Sequence, residues 1–293
     1  MRVAYLNADR FGLLIKMYIP ELIRKEGLRR GLSPRTIKTY NHCVERFFRK
    51  CRKEVNKVTK QDVKDFLDRL IEKGAGGNTI NVYLNALKFF YGQVLNRKLT
   101  VYIRYSKTPK SLPAVLTKEE VMKLISAIEN PKHGLMVKLI YSAGLRVSEL
   151  VHLKVKDLEL DRNHGWVRKG KGNKDRMFII ARNLKNELMG YIYDNNLDQE
   201  SWLFAGQKQG CITAMAVQKI IKKAARKAAI KKNVHPHTLR HSFATHLIEN
   251  NYDVCSLQFL LGHNSPETTM VYVHAASKNM INVKSPFDSL AKA

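Results

Sequence analysis

Cysteine is scarce in this chain of 293 residues. There are four, at Cys43, Cys51, Cys211 and Cys255, with no C-x-x-C spacing. Neither a disulfide framework nor a thiolate zinc site is expected from such a scatter. Isolated cysteines of this kind fit a reducing cytosol, where most behave as small buried hydrophobes. No apolar run approaches the length of a membrane span, and the N-terminal residues, with Arg2, Asp9 and Arg10, hold no clear signal-peptide core. The chain is therefore expected in the cytoplasm, off the membrane. Walker A, G-x-S-x-G and dinucleotide-binding patterns are all missing, as is any repeat of solenoid period. No carboxylate cluster suited to Mg²⁺ is apparent, so no cofactor and no metal is expected.

Acidic residues are the other shortage. Asp+Glu number 25 against 52 Lys+Arg, a formal net charge of +27. With 44% hydrophobic residues the chain folds rather than remaining a basic tail. Residues 1–105 carry 23 Lys+Arg and 9 Asp+Glu; residues 106–293 carry 29 and 16. Both halves are basic, as expected if both contact one polyanion, most simply nucleic acid.

What is present is mostly helical periodicity. Leu13, Leu14, Met17, Leu22 and Ile23 are spaced for a helix that Pro20 must start or kink. Ser33 caps a second helix, Pro34 opens it, and Ile37, Tyr40, Val44, Phe47 and Phe48 form its apolar face. Arg35, Lys38, Arg46, Arg49 and Lys50 occupy its other positions, either a solvated face or a grip on phosphates. Thr59 and Asp62 cap a third helix with Val63, Phe66, Leu67, Leu70 and Ile71 inward. Asn78 can cap a fourth, carrying Val82, Leu84, Leu87, Phe90, Tyr91 and Val94 as core rather than as a base-stacking platform.

Residues 106–113, SKTPKSLP, read as a linker. Thr117 and Glu120 then form a capping box that starts a new domain. Around residues 157–181 the pattern changes. Trp166, Val167 and Met177 to Ile180 prefer strands, and Gly170-Lys171-Gly172-Asn173 between them can turn tightly. A small antiparallel sheet with Lys171 at a hairpin tip is expected. Helices return near 182–195 and 213–229, the latter with Lys219, Lys222, Lys223, Arg226 and Lys227. The division is thus 1–105, helical; 106–113, linker; 114–293, second domain.

The chemistry-bearing residues each have an ordinary explanation. Arg146 sits three residues before Glu149, the spacing of a helix ion pair. His237 and Arg240 share a helix face behind Pro236. His241 and His246 read as packed, hydrogen-bonded groups. His237 and His241 lie four apart, but no Glu sits as in H-E-x-x-H. Gly262 before His263 fits a helix C-cap, and Tyr272 fits a core tyrosine. Phosphodiester cleavage, however, needs a nucleophile, cations on the non-bridging oxygens and an acid for the leaving oxygen. Arginine's planar fork suits the second task. A phenol with pKa near ~10 needs positive surroundings or a base for the first.

Taken together, five motifs in this order resemble the tyrosine recombinase, or phage-integrase, family, and the compact Xer type within it. They are Gly144-Leu145-Arg146-Val147-Ser148-Glu149-Leu150, Gly170-Lys171-Gly172-Asn173-Lys174-Asp175-Arg176, His237-Thr238-Leu239-Arg240-His241, Leu261-Gly262-His263 and Thr268-Thr269-Met270-Val271-Tyr272-Val273-His274. The resemblance covers nearly the whole chain. It implies a mainly α fold: an N-terminal helical core-binding domain and an α-helical catalytic domain with a small antiparallel β-sheet. It implies site-specific recombination of double-stranded DNA through a 3′-phosphotyrosyl intermediate, without ATP or metal. Tyr272 would be the nucleophile. Arg146 and Arg240 would clamp the scissile phosphate, with His263 adding a hydrogen bond. Lys171, in preference to Lys174, would be the general acid; His237 would assist as acid/base, and Glu149 would support the site from behind. The family acts as a tetramer on two duplexes, the domains closing on DNA like a clamp, while the free protein can be monomeric. Type IB topoisomerase-like relaxation, a DNA-binding relative without catalysis, and a metal-dependent nuclease are the competing readings. Dimer resolution and element integration or excision are not distinguished, nor is packing of the tail, with Ser285-Pro286-Phe287, on a neighbouring protomer.

Overall fold

The computed structural model describes residues 8–99, 103–107, 113–168, 170, 175–206, 210–262 and 269–273, with side chains from Tyr18 onward. Lys171, Lys174, His263 and the tail after Val273 lie outside the described residues. The chain divides into two compact units, Met1–Lys110 and Ser111–Ala293.

Among the described residues the first unit holds four α-helices, α1 (Ala8–Arg29), α2 (Pro34–Cys51), α3 (Lys60–Glu72) and α4 (Gly77–Phe89), the last continued by a π turn over Phe90–Val94. Pro20 neither starts nor ends α1, which runs through it. Interior proline costs a helix about 3 kcal/mol. Ile19 and Ile23, buried on the α2 side, each return about 1.5–3 kcal/mol and outweigh it. Leu22, on the other face, is exposed. Ser33 caps α2, its Oγ accepting from the Thr36 N–H, and Pro34 opens the helix. Ile37, Val44, Phe47 and Phe48 point into the core, where Phe47 meets Phe66 edge-on at 5.2 Å and Phe48 meets Phe90 at 5.7 Å. Several details differ from expectation. Gly76, not Asn78, precedes α4, whose first turn already holds Asn78; Ile71 and Val82 face out. Of the cysteines only Cys43 is buried. Ser106, expected to open the linker, is tied to α4: its N–H donates to Asn81 Oδ1 (2.8 Å) and its carbonyl accepts from Asn81 Nδ2 (3.0 Å).

In the second unit, α5 (Lys118–Ser126) starts with the capping box of Thr117 and Glu120. α6 (Pro131–Ala143) is its central helix. Leu135, Met136, Val137, Leu139 and Ile140 are all buried, so the helix is apolar on nearly every side, as a core helix must be. A short α7 (Val147–Val151) follows. Three strands, β1 (Leu158–Glu159), β2 (His164–Val167) and β3 (Arg176–Ile179), make an antiparallel sheet in the order β1-β2-β3, with Val167 opposite Arg176. α8 (Arg182–Asp194), α9 (Ala214–Lys227), α10 (Pro236–Glu249) and α11 (Val254–Leu261) complete the named elements, and residues 269–273 are again helical. α10 packs along α6, and α11 lies against β3. The mainly helical architecture with one small antiparallel sheet is the one the sequence predicts.

Two glycines fix how the chain leaves helices next to the site. Gly144 ends α6 at φ +58°, and a Cβ there would lie 2.4 Å from the Phe243 ring. Gly262 ends α11 at φ +59°, where a Cβ would lie 2.6 Å from Arg176 Cδ. Both combine a left-handed backbone with no room for a side chain.

Candidate active site

A carboxylate that almost no water reaches gathers the cations. Glu149, in α7, is 6% exposed. Its Oε1 accepts from Arg146 Nη1 at 2.6 Å, and its Oε2 accepts from Arg176 Nη2 at 2.6 Å and from the Arg146 N–H at 2.8 Å. Arg240 Nη1 stands 3.8 Å from Oε2. Burial alone would push the carboxyl's pKa up. The hydrogen bond and charge of Arg176, then those of Arg146, overcome this and hold it below the ordinary carboxylate value. The ion pair anticipated between Arg146 and Glu149 is therefore real, but it is one arm of a larger cluster.

One negative charge does not satisfy three guanidinium groups. Helix ends supply the rest. Arg240 Nη1 donates to the Gly144 carbonyl at 2.5 Å and Nη2 to the Leu261 carbonyl at 2.6 Å. Arg146 Nη2 reaches the Gly262 carbonyl at 3.4 Å, and Arg176 Nη1 donates to the Leu260 carbonyl. Three successive carbonyls at the end of α11 thus serve three different arginines. These are carbonyls that a helix C-terminus leaves without intrahelical donors, at its partially negative end. The Leu-Gly turn is where the helix stops and those oxygens become available.

Arg240, in the middle of α10, is 2% exposed. Burial, followed by repulsion from Arg146, lowers its pKa to about 10, which leaves it charged at neutral pH. Tyr272 is 3% exposed and belongs to a small buried cluster with Phe243, Ile248, Leu257 and Leu261. Its hydroxyl is hydrogen-bonded by Arg240, and it stands 3.1 Å from His241 Nδ1. Burial raises the phenol's pKa, and Arg240 and Arg146 pull in the opposite direction. His237 lies one turn before His241, the two ring centroids 6.3 Å apart, and His235 lies 6.2 Å beyond His237. His246, in contrast, faces away to hydrogen-bond Tyr141 at 2.9 Å.

Arg146, Glu149, Arg240 and Tyr272 are thus brought together, with His237 close by on α10; Lys171 and His263 lie outside the described residues. Two participants were not singled out from the sequence. Arg176 is the strongest partner of Glu149, and its signal is the two-residue alternation of β3, which turns Arg176 and Phe178 inward together. His241 touches Tyr272 across 31 residues of sequence, and nothing local announces that contact. Among the described residues no group of three or more His, Cys, Asp or Glu is placed to hold a metal ion, and no helix is long and apolar enough to cross a membrane.

The same arrangement of elements is found in known proteins. The model of the phage integrase family matches residues 114–279, and that of the phage integrase N-terminal SAM-like domain matches residues 21–101. The tyrosine recombinase XerA of Pyrococcus furiosus is 38% identical over 256 residues, 85% of this chain and 87% of the relative. Among solved structures, a XerA recombinase is similar at 28% identity and TM-score 0.55, covering 92% of this chain and all of that one. A XerH site-specific recombinase bound to its difH substrate before cleavage is similar at 25% identity and TM-score 0.68, covering 91% and 85%. The chain belongs to the phage integrase family: it is a tyrosine-type site-specific recombinase of the Xer type.

Proposed function

We propose that this enzyme cuts and rejoins double-stranded DNA at a specific core site, with Tyr272 as the nucleophile. The observation that carries the reading is the convergence on one phenol: Arg240 hydrogen-bonds the Tyr272 hydroxyl, and Arg146 is joined to Arg240 through Glu149. A scissile phosphate entering there meets two guanidinium groups suited to its non-bridging oxygens. Tyr272 Oη bonds to phosphorus, the bond to the 5′-oxygen breaks, and a 3′-phosphotyrosyl link holds the strand. That link conserves the phosphodiester's energy, so rejoining requires no ATP. The resemblance assigns Lys171 as the acid for the 5′-oxygen, His263 as a further phosphate ligand and His237 as an acid/base. Glu149 acts through the arginines it aligns.

The similar XerH structure contains its DNA site. By analogy residues 1–105 bind DNA alongside the catalytic domain, 114–293, with 106–113 between them, and four protomers act on two duplexes. The exposed Arg35, Lys38, Arg46, Arg49 and Lys50 of α2 and Lys219, Lys222, Lys223 and Arg226 of α9 supply cations for phosphates. The enzyme works where the genome is, in the cytoplasm.

The test is covalent capture. Sheared genomic DNA of the source organism, incubated with the protein and stripped under denaturing conditions, yields the trapped site. A duplex of that site, nicked near the cut, should accumulate a protein–DNA adduct with wild type and none with Tyr272→Phe, which still binds. An adduct in the phenylalanine variant removes Tyr272 as nucleophile. Relaxation of any supercoiled plasmid by a monomer, without site preference, replaces recombination with a topoisomerase-like activity.

A further inference from the structure

We infer that His241 is the general base of strand cleavage, taking the phenolic proton of Tyr272 and returning it on rejoining. This rests on the reading of Tyr272 as nucleophile. The geometry comes first. His241 Nδ1 stands 3.1 Å from Tyr272 Oη, within hydrogen-bond reach, with the ring centroids 5.5 Å apart. Direction follows from the donor inventory. Arg240, a second partner of the phenol, can only donate. The phenol oxygen accepts from Arg240 and its single hydrogen turns to His241 Nδ1, so His241 carries its own proton on Nε2.

Two features fit the imidazole to that task. It is empty of its second proton when needed. Half-burial is the largest cause lowering its pKa to about 4, with repulsion from the neighbouring imidazoles and Arg240 adding to it, so at neutral pH Nδ1 is an acceptor. An arriving phosphate brings negative charge beside those same groups, which raises the basicity of His241 as the reaction needs it. Among the described residues the charged and titratable groups that face it are Tyr272, Arg240 and His237, with His235 one ring further out.

The step balances. Oη–P forms as P–O5′ breaks; the Tyr272 proton passes to Nδ1, giving an imidazolium, and the 5′-oxygen takes its proton from the acid. In rejoining, the 5′-hydroxyl attacks, P–Oη breaks and Nδ1 returns the proton to Oη. The acid/base role that the resemblance gives His237 is thereby confined to the phosphate side of the site, and the phenolic proton passes to His241.

The experiment measures adduct formation on the nicked duplex of the trapped site, from pH 6.5 to 9, for wild type, His241→Ala and His241→Asn. Asparagine places an amide oxygen near the position of Nδ1, where it can accept a hydrogen bond but not carry away a proton. At pH 7 both variants should be about 100-fold slower than wild type, within the usual range for a general base. Their deficit should shrink about tenfold per pH unit as hydroxide replaces the base, and imidazole should restore part of the rate of His241→Ala. A deficit that does not change with pH, or full activity in His241→Asn, overturns the inference and leaves His241 as a positioning group. Faster adduct formation in His241→Ala also overturns it, because the contact would then restrain Tyr272. Tyr272→Phe run alongside separates the two readings: an adduct in that variant defeats the nucleophile, whereas its absence with a pH-flat His241 deficit defeats only the base. Circular dichroism and a thermal melt establish that each variant is folded.

Discussion

The arginines of α2 and those around Glu149 are the same side chain put to opposite uses. Arg35, Arg46 and Arg49 lie exposed on a helix whose other face is Ile37, Val44, Phe47 and Phe48. Arg146, Arg176 and Arg240 are 19%, 8% and 3% exposed at the side chain, and each has an acceptor already in place. An exposed arginine keeps its water, costs the fold nothing and is worth little individually. A buried one forfeits its hydration and must be compensated by oxygens at fixed positions. The first arrangement gives additive, salt-screened attraction. The second gives a rigid cluster, in which the loss of one member strands the others.

Glu149 is where that contrast is sharpest, and its removal should have the largest effect on stability. Glu149→Ala leaves three guanidinium groups facing one another without their carboxylate. Loss of one partner from a buried charge cluster costs about 3–5 kcal/mol. A urea midpoint within error of wild type would show the cluster to be no more demanding than the α2 row. The pH dependence has a definite sign. Glu149 has a lowered pKa in the fold, so its contribution is complete above the unfolded carboxylate value of 4.5 and is lost as pH falls through the lower folded value. Wild type should therefore lose stability on acidification below about pH 4.5 more steeply than Glu149→Gln. Parallel curves would mean the charge of Glu149 is not what holds the arginines.

Gly144→Ala comes next. The substitution sets an alanine at φ +58°, a cost of about 1–2 kcal/mol, and drives its Cβ to 2.4 Å from Phe243. The Gly144 carbonyl is an acceptor for Arg240, so a shift there also moves the guanidinium proposed to clamp the phosphate. Adduct formation should fall more than DNA binding does. An equal fall in both would place the damage in the fold rather than in the clamp.

Much of this was legible in the sequence, for identifiable reasons. Ser33-Pro34, Thr59 with Asp62, and Thr117 with Glu120 mark helix starts because capping is settled by three or four adjacent residues. The antiparallel pairing of β2 and β3 was accessible because strand-forming residues flank a glycine-rich stretch of sequence, while its register, Val167 opposite Arg176, was not. Arg146, Arg240 and Tyr272 stood out as residue types in a familiar order. What stayed hidden depends on long-range packing. Arg176 finds Glu149 across 27 residues, and three arginines divide the carbonyls of α11 among them. His241 had a sufficient local explanation as a helix histidine, and only the return of the chain at residues 269–273 places the phenol on it. Pro20 takes the second of the two places its local rule allows, inside α1 rather than at its start, where burial of Ile19 and Ile23 offsets its cost.

The smallest effects belong to the exposed row, and they sharpen the comparison by being graded. Arg49→Ala should leave the thermal midpoint unchanged, since the side chain lies on the solvent face of α2. If it contacts one phosphate, the slope of log K against log salt should fall by about 0.9, and affinity should weaken alike on the trapped site and on unrelated duplex. A double change, Arg46→Ala with Arg49→Ala, should fall by about twice that, because separate phosphate contacts add. Arg46 is the more informative of the two: its guanidinium also stacks on the Tyr83 ring at 5.8 Å, a contact that a lysine reproduces poorly. Arg46→Lys should therefore keep the salt slope and lose only the small stacking contribution. A change in site preference, rather than in overall affinity, would mean that α2 reads bases and not only backbone, and the two sets of arginines would then differ in information as well as in burial.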